Sequence, residues 1–447
     1  MFLPFLITLM ALFFAHTSAW TQAAAQYDII LKGGSVLDPA NNISDKMDVA
    51  VVDGKIARVS KDIPASMIKA AVDKEGAVKV IDVTGYYVTP GLIDIHSHVY
   101  YPAGWINPRD HCFNSGVTTI CDAGSMGAND IKSAIDTFWE ADGKIKNAIG
   151  IPRVLFFMNI AATGMAGNSQ KYQFNVPLAA ARAKEYPGVI VGFKSYCGGR
   201  YDGDVWAVVD AAEEAGRITN LPVMFDFAPL PDRSYAELIT KKMRPGDIHT
   251  HYTAMQFPII MDDGKVNPAV IAAQKRGVIF DIGHGSGSMV FRNAVPSIRQ
   301  GFIPNSISTD LHGRNSNTPV HNMTHVMSKF LNMGLSMEDV IRLSTVNPAK
   351  EINHPELGSL TAGATADIAV LELRRGTFTF TDCSPGQDLT GGGKLKGDKK
   401  LQCVLTLFGG KVVHDLNGFT YRNWEEIPKT EAYWGDQRGN KVMGTSY

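Results

Sequence analysis

The sequence predicts a (β/α)8 TIM barrel carrying a small β-sandwich built from both chain ends. Three observations predict it. Eight short apolar runs alternate with helical patterns across residues 88–354, the size of one such barrel. Hairpin patterns stand on both sides of that span. The first of the eight runs ends in a histidine pair, where an open doubly wound sheet would want a Gly-rich phosphate turn.

Taken in order, the chain opens on an apolar run, residues 2–15, followed by small residues. That run is short against the ~20 residues of a spanning helix and suits a signal-peptide core. Residues 1–25 are therefore read as a leader, with cleavage after Ala19 or Ala25. Its first residues lack Lys and Arg, which leaves an uncleaved anchor open. The expected location is secreted or periplasmic, or membrane-anchored if the leader stays.

Residues 26–87 form the first part of the sandwich. The segment 27–38 reads as two short strands around Gly33-Gly34, and the segment from Met47 turns at Asp53-Gly54, a strong hairpin signal. The eight apolar runs of the barrel lie at 91–99, 117–123, 153–160, 189–196, 222–228, 247–253, 277–283 and 306–311. Helical stretches at 204–214, 268–275 and 337–344 fall between or after them. Residues 355–421 complete the sandwich, with strands around Ile368 and from Leu405 through Gly409-Gly410. Residues 384–400, rich in Gly and Lys, read as an exposed loop, and 422–447 as a tail.

Composition excludes several function classes. Of 447 residues 45% are hydrophobic and 19% charged, an ordinary globular balance. Forty-three Lys+Arg against 44 Asp+Glu leaves a formal charge of −1, with no basic excess for phosphates, so no nucleic-acid partner is expected. Five cysteines are too few for a disulfide scaffold and form no cluster, so they read as packing residues. No later segment is apolar enough to span a membrane, so no stable insertion is expected after cleavage. A homo-oligomer is left open.

The chemistry begins at His96-Ser-His98, at the end of the first barrel run. Residues two apart on a strand point the same way, so both imidazoles enter together at the rim where barrel enzymes work. Two neutral imidazoles converging on one point make half a zinc site. Alone the pair serves equally well in packing or capping; the strand context favours the metal.

The stretch Val88-Thr-Pro-Gly-Leu-Ile-Asp-Ile-His-Ser-His resembles the metal-binding opening of the amidohydrolase superfamily. Ser344-Thr-Val-Asn-Pro-Ala-Lys and Gly363-Ala-Thr-Ala-Asp-Ile-Ala-Val match it too, and Phe280-Asp-Ile-Gly-His-Gly-Ser-Gly-Ser looks like the bacterial deacetylases grouped near the dihydroorotases. The resemblance implies one or two divalent ions, zinc foremost with manganese or iron as alternatives. It implies His96 and His98 as ligands, joined by Lys194 as a carbamylated bridge, His251, and Asp310 as ligand and general base. An inward Lys194 is otherwise costly unless paired. His284 is read on a flexible loop, where it orients substrate as a catalytic residue or merely stabilises the loop. His249 is read as core, or as support behind the ligands.

One position departs from the pattern. The fifth run presents Asp226 where the family has histidine, and carboxylate oxygen can still ligate zinc, manganese or iron. The expected reaction is hydrolysis of an amide or ester by metal-activated water, in an N-acyl amino acid or acylated hydroxy acid. Arg200 and Arg314 would fork onto a small-molecule substrate carboxylate or simply stand solvated. Trp105 and Tyr196 are candidate pocket walls. The rival readings are a cyclic-amide hydrolase of the dihydroorotase or hydantoinase sort, and an inactive barrel that binds without catalysis.

Overall fold

A computed structural model describes residues 26–74, 76–100, 106–146, 150–166, 173–196, 204–229, 234–383 and 392–427. The leader at 1–25, Trp105, Arg200 and the end of the tail lie outside them. Among the described residues no helix is long and apolar enough to cross a membrane.

Five strands precede the barrel: β1 (Ile29–Asp38), β2 (Ile43–Val52), β3 (Lys55–Ser60), β4 (Val80–Asp82) and β5 (Tyr87–Pro90). The segment expected to be two strands around Gly33-Gly34 is one strand, β1. Those glycines form an irregularity in its pairing with β2, between Leu31 and Gly34, rather than a reversal. The Asp53-Gly54 hairpin is present, with φ of 48° and 74°, the left-handed pair that a tight two-residue turn needs.

The barrel follows directly from β5. Its strands are β6 (Leu92–Ser97), β7 (Val117–Gly127), β8 (Arg153–Asn159), β9 (Ile190–Tyr196), β10 (Val223–Asp226), β11 (Ile248–His249) and β12 (Ile279–Phe280). They pair in parallel in chain order. The eighth run closes the ring through two bridges, Asp281 with Ser306 and Ser97 with Leu311. Asp94 fastens the closure, accepting from the Thr309 hydroxyl at 2.5 Å and the Thr309 amide at 3.0 Å. Buried Ile93, Leu155, Val191, Met224 and Ile248 from successive strands share one core cluster.

The intervening helices carry ordinary start and stop signals. The helix Pro268–Arg276 has Pro268 in its first turn, Asn267 accepting from the Ala269 amide, and Gly277 at φ 103° behind it. The helix Val205–Thr219 starts on Asp204 and ends on left-handed Asn220.

The second sheet is completed by β13 (Ile368–Thr381), β14 (Lys394–Phe408) and β15 (Lys411–Asp415), in the order β15-β14-β13-β5-β1-β2-β3 with β4 beside β1. It encloses its own apolar core, drawn from both chain ends, with Leu31, Val49, Val88, Ile368 and Leu405 among its residues. The loop expected over 384–400 is a strand from Lys394 onward, paired antiparallel with β13. Its charged and glycine residues occupy a half-exposed ribbon, so the apolar period that announces a strand is missing. Sheet and barrel are joined by Arg153, whose guanidinium lies 2.9 Å from Asp367.

Candidate metal centre

The sequence-predicted ligands meet at the C-terminal ends of the barrel strands. His96 lies near the end of β6, Lys194 near the end of β9, Asp226 ends β10, and His251 and Asp310 lie near the ends of the sixth and eighth runs. His251 and Asp310 both hold left-handed backbone, φ 61° and 46°, the kind of local strain that collects at functional sites. Asp310 Oδ1 lies 3.2 Å from His98 Nε2 and 3.6 Å from His96 Nε2. These three residues are buried, and their ligand atoms can all lie within 4.8 Å of one another.

A second half-site adjoins the first. Asp226 Oδ2 is 3.4 Å from His251 Nε2 and 3.6 Å from Lys194 Nζ. Lys194 Nζ in turn stands 3.0 Å from His96 Nε2 and 3.8 Å from Met224 Sδ. The Lys194 side chain thus lies between the two halves, fully buried.

The ring orientations are fixed from behind. The Thr250 hydroxyl donates to Asp281 Oδ2 at 2.8 Å, so its oxygen accepts from His96 Nδ1 at 2.7 Å. That assigns the proton to Nδ1 and leaves the Nε2 lone pair facing the centre. Asp281 also accepts from the Ser306 and Ser308 hydroxyls, each at 2.8 Å. His98 Nδ1 is 3.0 Å from Ser125 Oγ, and His251 Nδ1 donates to the Gly283 carbonyl at 2.6 Å. All three Nε2 atoms are thereby presented inward.

Charge follows burial and neighbours. Burial first, and then Lys194, hold His96 far below the usual imidazole range, so its ring is neutral. Burial alone would raise the Asp226 carboxyl, but His251 and Lys194 outweigh it and the net shift is downward. Asp310 is likewise lowered against its burial by the hydrogen bond from His98 and by His251. His251 is raised, because Asp226 outweighs its desolvation. The imidazole nitrogens and the carboxylates of Asp226 and Asp310 together are the donor types of a divalent metal, so the residues fit one.

His284 does not join this cluster. It is wholly buried rather than on an exposed flexible loop. Lys329 Nζ donates to its Nε2 at 2.6 Å, and its Nδ1 donates to the Gly285 carbonyl at 3.0 Å. The glycines on either side press on the ligands. A Cβ on Gly283 would come within 2.6 Å of His251 Nδ1, and one on Gly285 within 2.3 Å of Asp310 Oδ2. His249 is core: its ring stacks on Phe280, with centroids 5.4 Å apart. Arg314 is exposed on the segment after Asp310.

Sequence reasoning missed Thr250, Asp281, Ser125, Lys329 and His312. His312 Nε2 is 3.1 Å from Ser286 Oγ, and its ring centroid is 6.3 Å from that of His98. Its spacing of two from Asp310 could have found it, by the argument used for His96 and His98.

Residues 285–413, which include Asp310, match the amidohydrolase family. That segment carries an amidohydrolase family domain. It is similar to a deacetylase of Brucella anthropi, 28% identical over 339 residues, covering 72% of this chain and 81% of that one. A deacetylase of Enterococcus faecalis is 27% identical over 393 residues, covering 86% and 99%. Among solved structures, an adenine deaminase superposes with TM-score 0.75 at 25% identity, over 87% of this chain and 99% of its own. A dihydroorotase gives TM-score 0.71 at 24% identity over the same shares, a likeness of fold. These likenesses agree with the barrel and with the sheet made from both chain ends.

Proposed function

We propose that this amidohydrolase is a metal-dependent deacylase, cleaving the amide or ester bond of an N-acyl amino acid or acylated hydroxy acid. One observation carries the reading: His96, His98 and Asp310 converge at the barrel mouth, with His251, Asp226 and Lys194 beside them. The likeness to two proteins named deacetylase, over 72% and 86% of this chain, supports the acyl substrate.

In this reading His96, His98 and Asp310 hold one divalent ion, and His251 with Asp226 a second. A carbamate on Lys194 would turn a buried ammonium that faces His96 and Asp226 into an anion that could serve both halves. When bound, such ions supply the Lewis acidity that polarises the scissile carbonyl and acidifies the attacking water. Asp310, kept ionised at neutral pH, takes the water proton on its carboxylate and delivers it to the departing nitrogen or oxygen. The products are a carboxylic acid and an amine or alcohol. Ser286 and His312, hydrogen-bonded to one another beside His98, offer polar groups to the substrate's acyl oxygen or leaving group. Arg314, exposed four residues after Asp310, would meet a substrate carboxylate.

The test is a substrate panel of N-acetyl amino acids and acetylated hydroxy acids beside dihydroorotate and hydantoin. Turnover confined to the acylated acids is expected. Ring-opening of the cyclic amides with no deacylation would replace this reading by the cyclic-amide one.

A further inference from the structure

We propose that a second pocket, away from the metal centre, binds the phosphate group of a small phosphomonoester. The cavity holds about 410 Å³ and lies where the start of the helix Met323–Met333 meets β13, β14 and β15. Its walls include Arg374, Lys400, His321, His325, His414 and Gln402.

The cations are the first argument. Arg374 and Lys400 are direct partners across the β13–β14 ladder, so their side chains leave the ribbon on the same face. Like charges placed directly opposite are unfavourable without a counter-charge. None is supplied by the cavity, because no carboxylate lines it among the described residues. The side-chain hydrogen bond of Arg374 goes to the uncharged Gln402 Oε1 at 3.2 Å, and Lys400 has no ion pair among the described residues. Glu372 stands two pairs along, on the same face and opposite Gln402, and does not line the cavity.

The imidazoles are the second argument. His321 and His325 meet edge to face with centroids 4.5 Å apart. His414 Nε2 is buried with no hydrogen-bond partner among the described residues. Burial, then Lys329, His321 and Lys400, hold His325 below its usual range, so it meets a ligand as a neutral hydrogen-bonding ring. Among the described residues these rings do not make a three-ligand metal cluster; the cluster of that kind is His96, His98 and Asp310.

Together these groups fit an oxyanion. A guanidinium forks onto phosphate oxygens, an ammonium adds a point charge, and amide and imidazole groups complete the hydrogen bonds. The volume falls in the range of small-ligand sites, roughly 300–1,000 Å³, and exceeds what bare phosphate fills. That leaves room for the organic part of a phosphomonoester.

Calorimetric titration of the metal-loaded protein with phenyl phosphate, inorganic phosphate and phenol tests the assignment. Phenyl phosphate is expected to saturate at one site per chain, inorganic phosphate to bind more weakly, and phenol not at all. Arg374→Ala and Lys400→Ala should each weaken phenyl phosphate by about tenfold or more. The double reversal Arg374→Glu/Lys400→Glu should abolish its binding, with metal content, melting temperature and hydrolysis unchanged. No saturable heat up to about 20 mM would overturn the proposal, since any built site should be filled there. So would phenol binding equal to phenyl phosphate. Binding that survives the double reversal would also overturn it, by placing the phosphate elsewhere, at the metal centre for instance.

Discussion

Thr250 decides which nitrogen of His96 carries the proton, because its own hydroxyl hydrogen is committed to Asp281. Thr250→Val keeps the shape and removes the acceptor. Its affinity for divalent metal should fall by about 10- to 100-fold, read by competition with a chromophoric chelator. An unchanged affinity would mean that packing alone orients the ring. Lys194 invites a different test. Its Nζ is buried 3.0 Å from one imidazole and 3.6 Å from a carboxylate, so Lys194→Ala should lose bound metal and turnover together. Short carboxylates such as formate should restore part of both by filling the bridging position; an ordinary buried cation would not be replaced by an anion. Asp226 supplies oxygen where nitrogen was expected from the resemblance, so Asp226→His should move competitive loading from manganese toward zinc.

At the scale of elements, the segment Gly283-His284-Gly285 is wedged against His251 and Asp310 and held from the far side by Lys329. Lys329 also donates to the carbonyls of Pro319 and Thr381, at 2.9 and 2.8 Å, and burial pushes its ammonium down to about 7. Lys329→Met should loosen that wedge, costing about 2–3 kcal/mol from the hydrogen-bonding groups left buried, as read by urea denaturation. The short helix Val346–Glu351 carries a second buried group. Desolvation, with Asp281 adding to it, raises the Glu351 carboxyl from 4.5 to about 8. Between those values the unfolded chain has lost this proton while the native chain keeps it, so stability falls as pH rises. Glu351→Gln should remove one proton's worth of that slope, roughly 1.4 kcal/mol per pH unit. Equal slopes in the two proteins from pH 5 to about 7.5 would show Glu351 ionised in the fold.

For the whole molecule, the seam between barrel and sheet rests on Arg153, which binds Asp367 and Thr119, while Asp367 also accepts from the Gly409 amide. Arg153→Met leaves that carboxylate mostly buried and without its cation, and should cost about 3 kcal/mol in chemical denaturation. The barrel was legible in the sequence because its strands are short apolar runs ending in residues of unusual chemistry. Lys194 in an apolar run and the spacing of His96 and His98 mark strand ends without reference to contacts. What stayed illegible has physical causes. β14 lies in a ribbon half open to water, so Lys and Gly replace the apolar period. The last barrel strands shrink to two-residue pairings and bridges, with the left-handed turns at His251 and Asp310 close by. Thr250, Ser125 and Asp281 are common residues whose role appears only when strands distant in sequence stand side by side. His284 reads as part of a flexible loop because its neighbours are glycines, whereas those glycines let the backbone lie against His251 and Asp310.

The central claim is that these buried side chains form a metal centre. Metal content per chain, measured by elemental analysis on wild type and on the paired variants His96→Ala and Asp310→Asn, tests it most directly. Wild type should carry one to two tightly bound divalent ions and both variants should show a clear loss, with the fold retained by circular dichroism. Wild-type protein that hydrolyses substrate with no stoichiometric metal, or variants that keep the full complement, would contradict it.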